Sequence, residues 1–284
     1  MSTTDNEASL ERALSEERAI MDELAPHYRR WTLTGSLVYR RERAAFVSWM
    51  LETLRESGRE PGELRYLDVG CGTGEILEGL ARAGCRRLSG LDLSDAMLAQ
   101  SRAHVPEAEF VAGAVEMQTF EPGSFDVITA AFTVHHLVDP GAFFEAAHRW
   151  LAPGGWIFLL EFNRDAWSVA PGARKLVLRL SVAPLRFLVR WKNRRAIADQ
   201  PGVRSKFNSA HALRGIEELR GVARTHGFEP RSIHRGLLRH WFVQDVFEES
   251  KLDCALITAL GAAEDLLCPP HARSYHWLAG RRIS

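Results

Sequence analysis

The stretch Leu67–Leu77, LDVGCGTGEIL, limits what this chain can fold into more than any other. Its apolar lead-in, Leu64 to Val69, reads as a short buried strand, and Gly70, Cys71, Gly72, Thr73 and Gly74 form a turn ahead of a helical run. Three glycines at alternate positions permit positive φ and leave no Cβ in the way of a ligand. The first N–H groups of the following helix have no acceptor within it. A strand, a bare turn and a helix start therefore meet, and a small polar ligand can lie against main chain there.

The spacing narrows the ligand. A dinucleotide-binding turn has the pattern G-x-G-x-x-G, whereas the glycines here run G-x-G-x-G and Glu75, Ile76 and Leu77 follow. The helix ends over Ala81–Gly84, a second strand spans Arg87 to Leu91, and Asp92 stands at its tip. A carboxylate at a strand tip can accept both hydroxyls of a ribose.

Composition excludes several classes. Lys+Arg and Asp+Glu both total 36 in 284 residues, so no field of one sign steers a nucleic acid to the chain. With 46% hydrophobic residues, the chain can bury one large α/β core with additions. Cys71, Cys85, Cys254 and Cys268 form no C-x-x-C pair, so neither a disulfide framework nor a metal site is expected. The acidic N-terminus, with Asp5, Glu7, Glu11, Glu16 and Glu17, lacks the basic and apolar regions of an export signal. A reducing cytoplasm is the expected location.

Five segments in register now carry a resemblance: LDVGCGTG, GLDLSDAMLAQSR (Gly90–Arg102), FVAGAVEMQTF (Phe110–Phe120), FDVITAAFTVHHL (Phe125–Leu137) and RWLAPGGWIFLLEF (Arg149–Phe162). In these the chain resembles the class I S-adenosylmethionine (SAM) dependent methyltransferases of the small-molecule type. The resemblance implies a Rossmann-like α/β fold: seven strands, mostly parallel, the last antiparallel, flanked by helices. It also implies an N-terminal helical lid, and the chain departs from an average member of the family in a basic helical insertion after strand 5. The expected division is a cap over 1–60, a SAM-binding core over 61–165, the insertion over 166–210 and the rest of the core over 211–284.

The resemblance further implies SAM as cofactor, held by Asp68, Gly70, Cys71, Gly72 and Gly74 around the turn. Asp92, Leu93, Met97, Ala114, Val115 and Ala131 follow along the strand tips, and Tyr28 closes from the lid. Where the family has an acid that accepts from the adenine amine, this chain has Ala114. Adenine recognition then passes to the backbone of Ala114 and Val115, or to Glu116. Trp31, Tyr39, Phe132 and Asn163 are expected to meet the acceptor. His135 and His136 are the candidate bases, imidazole being suited to proton transfer near neutrality; a structural turn is the competing reading for both.

Elsewhere the periodicity predicts helices over Glu7–Trp31, with Pro26 interrupting the pattern, and over Tyr39–Leu54. Ser94 is placed to cap a helix to about His104, and Asp139-Pro140 to start another that reaches Leu151. Pro153-Gly154-Gly155 reads as a turn before a strand over Trp156–Leu160. A helix over His211–Gly227, a strand over Arg231–Leu238, a helix over Val246–Leu267 and a last strand over Ser274–Arg281 complete the chain. Between Pro171 and Asn208 ten Lys and Arg face Asp199 alone. This element is too charged to span a bilayer. It reads as a solvated cover, an anion-capturing patch or a surface for peripheral membrane contact, the last not favoured. Two other activities stay open on the same fold: a cyclase converting SAM to azetidine-2-carboxylate and methylthioadenosine, and a SAM-binding protein without catalysis.

Overall fold

A computed structural model describes residues 3–31, 37–137, 139–162, 214–235 and 275–283. Its centre is a seven-stranded sheet: β1 (Arg65–Val69), β2 (Arg87–Asp92), β3 (Glu109–Ala112), β4 (Phe125–Ala131), β5 (Leu151–Phe162), β6 (Phe228–Arg235) and β7 (Tyr275–Arg282). The order is β3-β2-β1-β4-β5-β7-β6. The first five strands are parallel and β7 runs antiparallel between β5 and β6, as the resemblance implies. The winding reverses between β1 and β4, where open α/β sheets bind their ligands.

Alternation along β5 builds two cores. Trp156, Phe158 and Leu160 face one side of the sheet, with Phe46, Met50 and Leu54 of α2 (Leu37–Glu56), Leu77 and Leu80 of α3 (Glu75–Arg82) and Leu98 of α4 (Asp95–His104). Ile157 and Leu159 face the other, with Phe143 and Phe144 of α5 (Pro140–Trp150) and Leu219 of α6 (Ile216–Thr225). Covering both faces explains why these strands read as continuous apolar runs.

Several bounds differ from the sequence reading. Helix α1 (Thr3–Trp31) runs through Pro26 without stopping. Proline removes one N–H and crowds the preceding turn, so it bends or weakens a helix that packing elsewhere can hold together. Pro153-Gly154-Gly155 lies within β5: Phe125 pairs with Leu151 and Val127 with Trp156, so three extra residues bulge out without ending the strand. β6 begins three residues earlier than predicted, directly after Gly227. The helix predicted over Val246–Leu267, the whole basic segment, Trp31's side chain and Asn163 lie outside the described residues. No described helix is long and apolar enough to cross a membrane.

Candidate functional site

The glycine turn hangs from β2. Gly70 and Cys71 N–H groups both donate to Leu91 O, at 2.7 and 3.1 Å, and Gly72 N donates to Asp92 Oδ2 at 2.7 Å. Asp92 Oδ1 accepts from Ser94 N at 2.9 Å, and Ser94 Oγ caps α4 by accepting from Met97 N at 3.0 Å. Asp92 therefore braces turn and helix together, and each oxygen keeps a further lone pair for a ligand. Burial pushes its carboxyl up to about 6 despite the N–H donors of Ser94 and Gly72.

Two glycines make the turn possible. Gly70 has φ 65°, and a Cβ there would stand 2.3 Å from Thr133 Cγ2. Gly72 has φ 53° and faces open space, its nearest neighbour being Tyr28 Cε1 at 3.9 Å. Main chain is thus exposed on the ligand side.

A cavity of about 350 Å³ opens above this turn. Among the predicted residues, Tyr28, Gly70, Gly72, Asp92, Leu93, Met97, Ala114, Val115, Phe132 and His136 line it. Others lie beneath or beside it. Asp68 is 2% exposed, accepts from Thr129 Oγ1 at 2.6 Å, and is pushed up to about 7 by burial. Cys71 turns away from the cavity toward Gly90, where an added Cβ would sit 2.8 Å from its Sγ. Burial, with Asp92 and Asp68 adding to it, raises that thiol well above its ordinary range, so no thiolate is available. Gly74 packs on Ser101. Tyr39 is buried in an aromatic cluster with Phe132, Phe162 and Tyr275. Ala131 ends β4 behind Phe132, itself held at φ 57° with its N–H donated to Leu160 O.

The two histidines have different surroundings. His135 is buried, with Nδ1 2.8 Å from Glu161 Oε2, while Glu161 Oε1 accepts from Thr133 N at 2.8 Å and Val134 N at 2.6 Å. His136 lines the cavity, and its Nδ1 lies 2.8 Å from Glu17 Oε1.

Much of the cavity's roof escaped the sequence reading. Ala13, Leu14, Glu16, Glu17, Ile20 and Met21 of α1 all line it. The helix is fastened to the core by several contacts. Arg18 Nε donates to Leu93 O at 3.1 Å, Ser94 Oγ donates to Asp22, and Arg29 Nη2 meets Glu78 Oε2 at 2.6 Å. The only signal was that Leu10, Leu14, Ile20, Met21 and Leu24 follow a helical period, which shows a stripe but not the partner beneath it.

An adenosyl sulfonium fits these surroundings. Among the described residues that line the cavity, Glu16, Glu17, Asp92 and Glu116 are acidic and none is Lys or Arg, which suits a ligand carrying positive charge. Among the described residues no cluster of His, Cys, Asp or Glu is arranged to hold a metal.

Comparison with known proteins agrees. Residues 67–159 match the family described as "Methyltransferase domain". A ubiquinone biosynthesis O-methyltransferase of Pseudomonas aeruginosa is 34% identical over 124 residues, which make up 42% of this chain and 51% of the relative. The chain spans about half the length of the curated relatives it matches. A SAM-dependent methyltransferase of Thermotoga maritima, described as a possible histamine N-methyltransferase, superposes with TM-score 0.57 at 17% identity, covering 93% of this chain and 98% of that one. A [4+2]-cyclase superposes at 0.54 with 17% identity, covering 84% and 80%. The shared fold alone therefore does not choose the reaction.

Proposed function

Given that the core of this chain is a class I SAM-dependent methyltransferase domain, we propose that the whole protein transfers the cofactor's methyl group to an oxygen nucleophile of a small molecule. Oxygen is favoured because the curated relatives are named O-methyltransferases. The observation that carries the reading is a cavity walled at once by the bare Gly70–Gly72 turn, by Asp92 and by an imidazole, His136, with helix α1 as its roof. In this reading residues 1–60 act as the cap and 61–165 as the cofactor-binding core.

When bound, SAM supplies a methyl group on positively charged sulfur. The residues then have three tasks. Asp92 and the turn N–H and C=O groups hold the ribose and the amino-acid end. Tyr28 and Phe132 offer aromatic faces to the positive charge, worth about 0.5–2 kcal/mol each. His136 receives the proton released as a hydroxyl acceptor is methylated. Holding two reactants in line inside a roofed cavity can supply roughly 7–11 kcal/mol of the barrier, so no covalent nucleophile is required.

The test is incubation of the full chain with SAM, alone and with a panel of phenols and catechols. S-adenosylhomocysteine formed only with an acceptor supports methyl transfer. Methylthioadenosine formed from SAM alone would replace this reading with cyclisation, and neither product, with SAM bound, would leave a binding protein.

A further inference from the structure

The roof helix α1 reaches Asp92 through a short chain of hydrogen bonds. One turn apart along α1, Arg18 Nε donates to Leu93 O at 3.1 Å, and Asp22 Oδ1 accepts from Ser94 Oγ and, at 3.3 Å, from Ala96 N. Ser94 N donates in turn to Asp92 Oδ1 at 2.9 Å, and Gly72 N donates to Asp92 Oδ2 at 2.7 Å. The Ser94 hydroxyl is used twice: its oxygen accepts from Met97 N at 3.0 Å while its proton goes to Asp22. Ala96 N, in the first turn of α4, has no acceptor within its own helix, and Asp22 supplies one from α1. The acid also stands where the dipole of α4 favours an anion.

The contacts that fasten the roof are unequal. The bond from Arg18 is exposed, and the Arg29 side chain that meets Glu75 and Glu78 is 27% exposed, so water competes for both. Ser94 is fully buried. Around it Leu24 and Ala25 of α1 pack on Met97, with Ile20, Met21, Tyr28 and Ala96 at the margin. A hydrogen bond to a carboxylate in such surroundings is stronger than one in water. The firmest polar hold on the roof therefore falls on the residue that is bonded to Asp92.

A ligand lying between the strand tips and α1 leaves when the roof opens, and such openings set release rates in many enzymes. We propose that Asp22 is a positioning residue which seats the roof helix on the Asp92–Ala96 loop and is tightened by the adenosyl ligand. Ribose hydroxyls on Asp92 fix that carboxylate, Asp92 fixes Ser94 through its N–H, and the Ser94 hydroxyl then stays aimed at Asp22. By reciprocity, a contact that the ligand strengthens retains the ligand by the same factor. Asp22 is not among the residues lining the cavity, so its effect falls on release rather than on capture. The inference rests on the proposed cofactor and names the residue that keeps it in place.

The test needs no methyl acceptor. Stopped-flow fluorescence on the full chain measures association and dissociation of S-adenosylhomocysteine for wild type, Asp22→Asn and Asp22→Ala, with thermal melts of the ligand-free proteins alongside. Dissociation from Asp22→Ala should be about tenfold faster, the equivalent of one hydrogen bond, with association within about threefold of wild type. Asp22→Asn keeps a side-chain oxygen for Ser94 and Ala96, so its dissociation should stay within about threefold of wild type. A lower melting temperature in Asp22→Ala with unchanged dissociation would make the residue merely structural and overturn the inference, leaving the cofactor in place. Should Asp22→Ala not fold, hydrogen exchange on the wild type decides: S-adenosylhomocysteine should slow exchange over residues 18–25 of α1 at least tenfold, and unchanged exchange there overturns the inference. Failure of the wild type to bind S-adenosylhomocysteine at all would instead remove the cofactor reading, and this inference with it.

Discussion

Glu17 Oε1 lies 2.8 Å from Nδ1 of His136, joining the helix that roofs the cavity to the turn that ends its wall. A neutral imidazole donating through Nδ1 carries its lone pair on Nε2, so the roof helix sets the tautomer of the proposed base. The carboxylate also steadies the ring once it gains a proton. Glu17→Gln keeps an acceptor but loses the charge, and turnover should fall roughly tenfold; Glu17→Ala should cost about a hundredfold. Affinity for S-adenosylhomocysteine should change far less than turnover in both. Parallel losses in calorimetry and rate would make Glu17 a ligand-binding residue instead.

Gly70 and Gly72 separate folding from binding. A methyl group at Gly70 meets Thr133 Cγ2 at 2.3 Å on a backbone already at positive φ, so Gly70→Ala should destabilise the protein by roughly 2–4 kcal/mol. Gly72→Ala meets nothing closer than 3.9 Å and should cost only about 1–2 kcal/mol of backbone strain. Its methyl projects toward the cavity, however, so ligand affinity should drop at least tenfold. Thermal melts and calorimetry on the pair check both halves; tight ligand binding by Gly72→Ala would mean that the ligand does not lie on the turn.

The first half of the fold was legible because buried parallel strands are short apolar runs between strong turn signals. The strand predicted over Arg87–Leu91 is found as Arg87–Asp92, and Ser94 and Asp139 cap the helices assigned to them. Where side chains point was much less legible. Cys71 and Gly72 are neighbours in the turn, yet one side chain goes under the sheet edge while the other position faces the cavity. Tyr39 and Tyr28 both looked like lid aromatics, and only Tyr28 reaches the cavity, because α2 docks on the core and α1 crosses the opening. Glu17 carries no motif at all. It matters through His136, 119 positions away in sequence, and an amphipathic period does not reveal such a neighbour.

Glu161 is the buried anchor of the segment carrying both histidines. Burial opposes its charge, but the His135 imidazole and the N–H of Val134 hold the carboxyl below its usual range. A depressed acid contributes stability that is present above the unfolded value, near 4.5, and lost as pH falls through the folded one. Glu161→Ala should destabilise by roughly 3–5 kcal/mol, since two N–H groups and an imidazole lose a buried partner. Glu161→Gln should be milder and should flatten the acid limb of stability in urea titrations between pH 3 and 6. An acid limb as steep as that of the wild type would place the titration elsewhere.

Asp68 should behave in the opposite sense. Burial pushes its carboxyl up to about 7, against the Thr129 hydroxyl and the charge of Arg43, with Glu75 and Asp92 adding to the rise. The native state then holds a proton that the unfolded chain releases near pH 4. Stability is highest below that point, declines as pH rises toward 7, and carries the full penalty above it. Asp68→Asn keeps an oxygen for Thr129 and cannot ionise, so it should be more stable than wild type at pH 8, by on the order of 1–3 kcal/mol. Near pH 4 the gain should vanish. Because Glu161 and Asp68 slope in opposite directions, urea melts of the two variants at pH 4 and pH 8 distinguish them by sign: both should differ from wild type chiefly at pH 8, where Glu161→Gln should be less stable and Asp68→Asn more stable. A constant offset for Asp68→Asn at both pH values would show that its effect comes from packing rather than from a proton.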